Sequence, residues 1–291
     1  MLSSWLEVDG IPEAIAAMSD RAHLDLVRLG TTADADEIKD TAITQPLVVA
    51  SALLAAQILP NPPGAVIAGH SVGELAAAAI AGVLTPLDAV DLAAVRGTAM
   101  SAACALTPTG MSAVMGGDVE AVLAALAELD LVGANVNGGG QIVAAGPLAA
   151  LDRLKADPPA GTRIIPLPVA GAFHTSFMAS AEAALAAHIT GVSVADPVHP
   201  LLSNSDGLVV SSGQEYLKLL VGQVIRPVRW DLCMETLRTM GVTGVLELPP
   251  AGTLVGLVKR DLKGVATMAL KSPADLDTAT AFAAEHAGVR L

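Results

Sequence analysis

The sequence predicts an α/β protein, a parallel-sheet core that carries a small inserted subdomain of ferredoxin-like order. Three observations lead there. An apolar run, Ala65–Ala68, ends in a corner, Gly69-His70-Ser71-Val72-Gly73, and an Ala-rich helical stretch to about Gly82 follows. Strand, sharp turn and helix in that order make a parallel α/β unit. The middle of the chain then reads strand (110–115), helix (118–129), strand (131–135), strand (141–145), helix (147–156) and strand (163–169), which is the β-α-β-β-α-β order. Short strands and helices resume after it. The organisation expected is a large domain over 1–106 and 172–291, with 107–171 inserted.

The remaining elements follow from local pattern. Residues 45–59 read as a buried helix with Pro46 at its first position, where a missing N–H costs nothing. A turn at 61–64 leads into the apolar run. A second helix spans 86–103. Beyond the insertion, 175–189 is helical, 200–204 and 208–210 are strands, and 215–223 and 229–240 are helices. Residues 242–248 form a buried strand that Pro249-Pro250 ends. The Ala-rich tail after Lys271 is expected to be peripheral. No repeat or low-complexity linker interrupts the chain.

Composition excludes several classes of function. With a net charge of −13 and only 16 Lys and Arg among 291 residues, the chain lacks the basic surface that nucleic acid binding requires. Cys104 and Cys233 lie far apart and outside any CxxC pair, and six scattered histidines include no HExxH, so no metal site is expected. The two free cysteines suit a reducing cytoplasm. The first residues show no basic segment followed by an apolar stretch, and no membrane span is expected. A monomer is expected because no apolar stripe beyond the core periodicity is visible.

The chemistry concentrates at the Gly-x-Ser-x-Gly corner. A serine at a strained strand-to-helix turn projects its Oγ outward, and glycines two positions to either side let the chain turn. The Val72 backbone N–H then sits at a helix N-terminus, where an oxyanion would form. The bland alternative is an ordinary glycine-rich βα turn. Ser71 needs a base. His70 adjoins it in sequence and points elsewhere. His174 follows a strand and a Gly171-Ala172 turn, the end of a strand where open α/β sheets build sites, although a satisfied loop histidine fits that position too. Arg96 lies on an apolar stripe with Leu92, Ala93, Ala99 and Met100. Such an arginine either snorkels to solvent or is buried against an anion, in which case its fork can hold a carboxylate.

Together these residues resemble the malonyl-CoA:acyl carrier protein transacylases and, more broadly, the acyltransferase domains of polyketide synthases. The motifs are QPL at 45–47, GHSVGE at 69–74, RGTAM at 96–100, PTGMSAV at 108–114, AN at 134–135, GQIVAAG at 140–146, GAFHT at 171–175, PVRW at 227–230 and ELPPAGTL at 247–254. They span almost the whole chain. The resemblance implies a hydrolase-like α/β core with the inserted subdomain. It implies malonyl transfer from coenzyme A to the phosphopantetheine thiol of an acyl carrier protein, by a ping-pong mechanism without cofactor or metal. It makes Ser71 the nucleophile, His174 its base, the Gln223 backbone carbonyl the group that orients His174, and Val72 an oxyanion donor. Arg96 would pair with the malonyl carboxylate, with Met100 beside it. Asn135 would line the cleft, and Phe173 would exclude α-branched acyl groups. An acidic carrier would need a basic patch, and Arg226, Arg229, Lys259, Arg260 and Lys263 are the late cluster that could supply one.

Family members open with a strand and a Gly-Gln-Gly-Ser-Gln loop that supplies a second oxyanion donor. This sequence begins at MLSSWLE, which resembles the helix after that loop, and a start further upstream is expected. Two other readings compete with transfer. An α/β-hydrolase esterase or thioesterase would place its acid before a late histidine, with Asp231 or Asp261 serving His286. A catalytically impaired carrier-binding relative would keep the surface and lose the chemistry.

Overall fold

The computed structural model describes residues 1–59 and 61–287. Nine strands occur among them. The insertion contributes β1 (Thr109–Gly116), β2 (Val132–Val136), β3 (Gln141–Pro147) and β4 (Thr162–Pro166), and the large domain contributes β5 (Leu201–Leu202), β6 (Val209–Val210), β7 (Val228–Arg229), β8 (Gly244–Glu247) and β9 (Ala266–Ala269). The first four form an antiparallel sheet in the order β4-β1-β3-β2, backed by helices Val119–Glu128 and Leu148–Ala156. This is the ferredoxin-like arrangement that the element order predicts. Asp118 caps the first of those helices by accepting from the Ala121 N–H. Val114, Leu126, Ile142 and Leu154 fill the space between sheet and helices. One feature was not legible in the sequence: β7 joins this sheet as a fifth strand, parallel to β2, with Asn135 opposite Val228. A two-residue strand carries no period, so only tertiary contact reveals it.

Most of the large domain is helical. Helix Pro86–Cys104 starts where the sequence places it, with Pro86 in its first turn and the Thr85 side chain accepting from the Asp88 N–H. It packs along helix Thr41–Ile58. Gly97 permits the approach, since a Cβ there would stand 2.5 Å from the Thr41 carbonyl oxygen. That close crossing decides which side chains of the two helices can meet.

Helix Thr41–Ile58 corrects one expectation. It begins at Thr41, so Pro46 lies inside the helix and not at its first position. Asp40 fixes the earlier start by accepting from the Ala42 N–H, and the loss at Pro46 is confined to one donor in the second turn. The helix also has the length and apolarity to cross a membrane, with a hydropathy of 1.5 over its 18 residues. In this fold it is a core helix, with Leu47, Val49 and Leu54 fully buried. Its apolar character is what burial on several sides requires.

Besides the antiparallel β5–β6 hairpin, the core segments form two separate parallel pairs. Ala65–Ala68 touches β5 through a single bridge, Ile67 to Leu201, and β8 pairs with β9 over Gly244–Ala266 to Glu247–Ala269. Between the pairs lies an apolar cavity of about 410 Å³, walled by Val66 and Ala68 on one side and Val245 and Leu246 on the other. The strand expected at 65–68 is therefore hydrogen-bonded on one edge only and stays half-buried. The tail differs from expectation as well. Helix Leu276–Glu285 packs on β8, with Ala279 fully buried and His286 against Gly244.

Candidate active site

The corner after Ala68 places Ser71 in the left-handed region, with φ of 53°. A non-glycine residue adopts that conformation at a cost, and here it aims the side chain away from both strand and helix. Of the two flanking glycines Gly69 has a steric cause, whereas a Cβ at Gly73 would meet nothing within 4 Å. A Cβ at Gly69 would lie 2.1 Å from the carbonyl carbon of Gly73. Gly69→Ala should therefore open the corner and cost about 1–3 kcal/mol or more of stability, read as a lowered urea midpoint together with loss of Ser71 reactivity. Val72 caps helix Gly73–Ile80, and among the described residues its N–H donates to no backbone acceptor. It is a free donor one residue past the serine.

His174 arrives from the opposite side, at the turn after Gly171-Ala172, also with positive φ (60°). A Cβ at Gly171 would meet the Cys104 Sγ at 2.5 Å, so the glycine lets this turn sit on the end of helix Pro86–Cys104. The imidazole Nε2 is 2.7 Å from Ser71 Oγ, and Nδ1 is 2.9 Å from the Gln223 backbone carbonyl oxygen. A carbonyl only accepts, so Nδ1 carries the proton and Nε2 presents its lone pair to the serine hydroxyl. Burial, and next the Arg96 charge, push the His174 pKa down to about 3. The ring is neutral at physiological pH and ready to take a proton.

Arg96 does not snorkel. It is 3% exposed, and its guanidinium reaches Gln45 Oε1 at 2.5 Å, Gln223 Oε1 at 2.9 Å and Ser71 Oγ at 3.3 Å. Burial pulls its pKa down to about 10, with the charge of Glu74 opposing, so it remains a cation at neutral pH. Gln45 is fixed in turn by Thr41 Oγ1 at 2.6 Å, and Met100 stands behind it with Sδ at 3.5 Å from Gln45 Nε2. A positive fork is thus clamped beside the Ser71 hydroxyl and the His174 lone pair. Such an arrangement can hold an acyl group that ends in a carboxylate while the serine attacks its other end.

The acyl transferase domain family matches residues 7–269 of this chain. The chain belongs to that family. Among curated members, the malonyl CoA-acyl carrier protein transacylase of Mycobacterium tuberculosis is 56% identical over 282 residues, which is 95% of this chain and 93% of the relative. The crystal structure of that organism's MCAT superposes with a TM-score of 0.92 at 55% identity, covering 96% of this chain and 94% of the other. A malonyl-transacylase solved in complex with a type II PKS acyl-carrier protein gives 0.88 at 29% identity, covering 97% and 94%.

Within this acyltransferase frame the other expected residues fall as follows. Phe173 is half-buried and packs against both the large core and the small cluster of Met111, Ala134 and Val143 at the foot of the insertion. Asn135 is buried in β2, and its side-chain amide forms no hydrogen bond with Ser71, His174 or Arg96. Asn137, two residues on, holds His70 instead, with Oδ1 2.8 Å from Nε2. His70 also meets Trp230 edge-on, so its ring is turned away from Ser71 Oγ. The hydrolase alternative loses its triad. His286 bonds Thr243 and stacks on Phe282, while Asp231 pairs with Arg229 and Asp261 with Arg238.

Three residues at this site escaped the sequence reading. Gln45 and Glu74 sit inside quoted motifs, but nothing in their spacing marks them as partners of Arg96 and Gln223. Asn204, in the turn after β5, carried no signal at all.

Proposed function

We propose that this acyltransferase moves malonyl from malonyl-CoA to the phosphopantetheine thiol of an acyl carrier protein. The observation that carries this reading is the Arg96 guanidinium held 3.3 Å from a serine oxygen whose proton has an acceptor 2.7 Å away. His174 Nε2 takes the Ser71 proton as Oγ attacks the thioester carbonyl. The oxyanion forms at the Val72 N–H, the C–S bond breaks, and the CoA thiolate takes the proton from His174. The carrier's thiol then gives its proton to His174, attacks the malonyl ester and returns the hydroxyl to Ser71. Every proton and electron pair is handled by Ser71, His174 and the two thiols, so the reaction calls for no resident cofactor.

The other roles follow from position. The Gln223 carbonyl fixes the tautomer of His174, and Gln45 and Met100 hold the Arg96 fork. Phe173 narrows the space beside the α-carbon, and Asn135 lines the insertion side of the cleft. Residues 107–171 act as a subdomain over a core made of 1–106 and 172–291, of which 288–291 lie outside the described residues. Exposed Arg226, Lys259, Arg260 and Lys263 offer positive charge for an acidic carrier. The relative solved with its carrier protein supports that partner. Supply of CoA thioesters and two free cysteines fit a cytoplasmic enzyme.

Intact-mass measurement after brief incubation with malonyl-CoA tests the reading. A single malonyl adduct is expected on the wild type and none on Ser71→Ala. An adduct that persists in Ser71→Ala, or a folded wild type that never acquires one, overturns it.

A further inference from the structure

Ser71 and His174 both occupy strained backbone conformations, and such residues persist only where neighbours over-determine them. Two fully buried side chains that the acyl transfer itself does not use supply that constraint. Asn204 grips the corner from both sides of the serine. Its Oδ1 accepts from the Ser71 N–H at 2.8 Å and its Nδ2 donates to the Gly69 carbonyl at 2.7 Å. A side-chain amide thus replaces the strand partner that the turning backbone cannot have. The Asn204 backbone N–H donates in turn to Glu74 Oε1 at 2.6 Å. The other oxygen of Glu74 accepts from Gln223 Nε2 at 2.5 Å. Gln223 is where the remaining parts meet: its side-chain oxygen binds Arg96 and its backbone carbonyl binds His174.

We infer that Asn204 and Glu74 are positioning residues that set the geometry of the acyl transfer, Asn204 through the serine corner and Glu74 through Gln223. Neither touches the transferred group. The inference rests on Ser71 being the nucleophile, and it assigns distinct tasks to the two residues. Asn204 acts mainly on the direction of Ser71 Oγ toward His174, since its one contact with Gln223 is the longer bond, 3.3 Å, that its Oδ1 accepts from Nε2. Glu74 also controls where Gln223 holds the Arg96 fork, so it influences which acyl group is accepted. A buried polar pair that merely satisfied itself would affect folding and nothing else. The connectivity is different here, because the bonds lead to the Ser71 corner and, through Gln223, to His174 and Arg96. A misplacement of about 1 Å in such a group can cost ~10²-fold in rate.

A serine-directed sulfonyl fluoride separates these tasks, because its reaction with Ser71 needs the corner and His174 but not the carboxylate fork. The experiment compares wild type, Asn204→Ser and Glu74→Gln, all normalised to folded protein by circular dichroism and thermal melting. Asn204→Ser is expected to slow sulfonylation and malonyl transfer by the same factor, about 10- to 100-fold, with KM little changed. Glu74→Gln keeps the shape but puts an N–H₂ against a donor. It is expected to slow both reactions and, in addition, to lower the malonyl-to-acetyl preference about tenfold. Variants that stay folded and react at wild-type rates overturn the inference. Activity lost only in proportion to the folded fraction, or failure of both variants to fold, assigns the pair to the core and also overturns it. A wild type that resists the reagent at Ser71 strikes instead at the nucleophile assignment.

Discussion

His174→Ala should reduce acylation of Ser71 by about 10⁴- to 10⁶-fold while leaving the fold intact, since nucleophile and base act as a unit. The same residue predicts an unusual pH profile. The base works only when neutral. An ordinary imidazole would lose half its activity near pH 6.5, but burial and the Arg96 charge hold His174 down at about 3. The kcat/KM of the free enzyme should therefore stay level from pH 8 to about 5 and fall only below that. A bound malonyl carboxylate neutralises Arg96, which removes the second cause of the depression. The acid limb of kcat should accordingly lie at higher pH than that of kcat/KM. Steady-state rates across pH 4–8 check this, and coincident limbs near pH 6.5 would contradict it. Stability follows the same sign. The unfolded chain takes up a proton at this histidine below about 6.5 that the folded chain refuses until about 3, so stability is lost as pH falls through that window.

Much of this was legible in the sequence, and what was not has specific causes. The insertion reads directly because its four strands and two helices each carry a period and a turn signal, and they follow one another in the β-α-β-β-α-β order within a single short stretch of chain. The serine corner reads because its first glycine is sterically required. Gly69 has no room for a Cβ, so the motif carries its own reason. His174 was one histidine among six until the structure brought it 103 residues back to Ser71, and Arg96 was ambiguous until its burial was known. Asn204 shows the limit. It is 133 residues from the serine whose N–H it holds, and no local pattern distinguishes it from any other asparagine in a turn. The strand at 65–68 failed in a different way. Its apolar run argues for a strand, but strand pairing depends on neighbours, and the segment makes only the bridge from Ile67 to Leu201 while its other edge faces the cavity.

Arg96→Ala should convert a carboxylate-selective acyltransferase into an unselective one. The guanidinium is the only cation hydrogen-bonded to Ser71 among the described residues, and it is clamped by two glutamines so that its fork cannot rotate away. Removing one partner of a buried charge pair costs about 2–5 kcal/mol, so kcat/KM for malonyl-CoA should drop by roughly 30- to 5 × 10³-fold. Acetyl-CoA has no carboxylate to lose a partner, and its rate should change by less than about tenfold. The ratio of the two is the decisive number, because it cancels any general damage to the site. Arg96→Lys should recover little, since an ammonium cannot span both the Gln45 and Gln223 oxygens or present a planar fork. The variant also feeds back on the base. With the guanidinium gone, the charge that helps depress His174 disappears and its pKa should rise, moving the acid limb of acetyl transfer upward. Specificity and base strength are therefore coupled through one side chain, and a shift in both from a single substitution is what separates a buried, site-facing arginine from one that only packs.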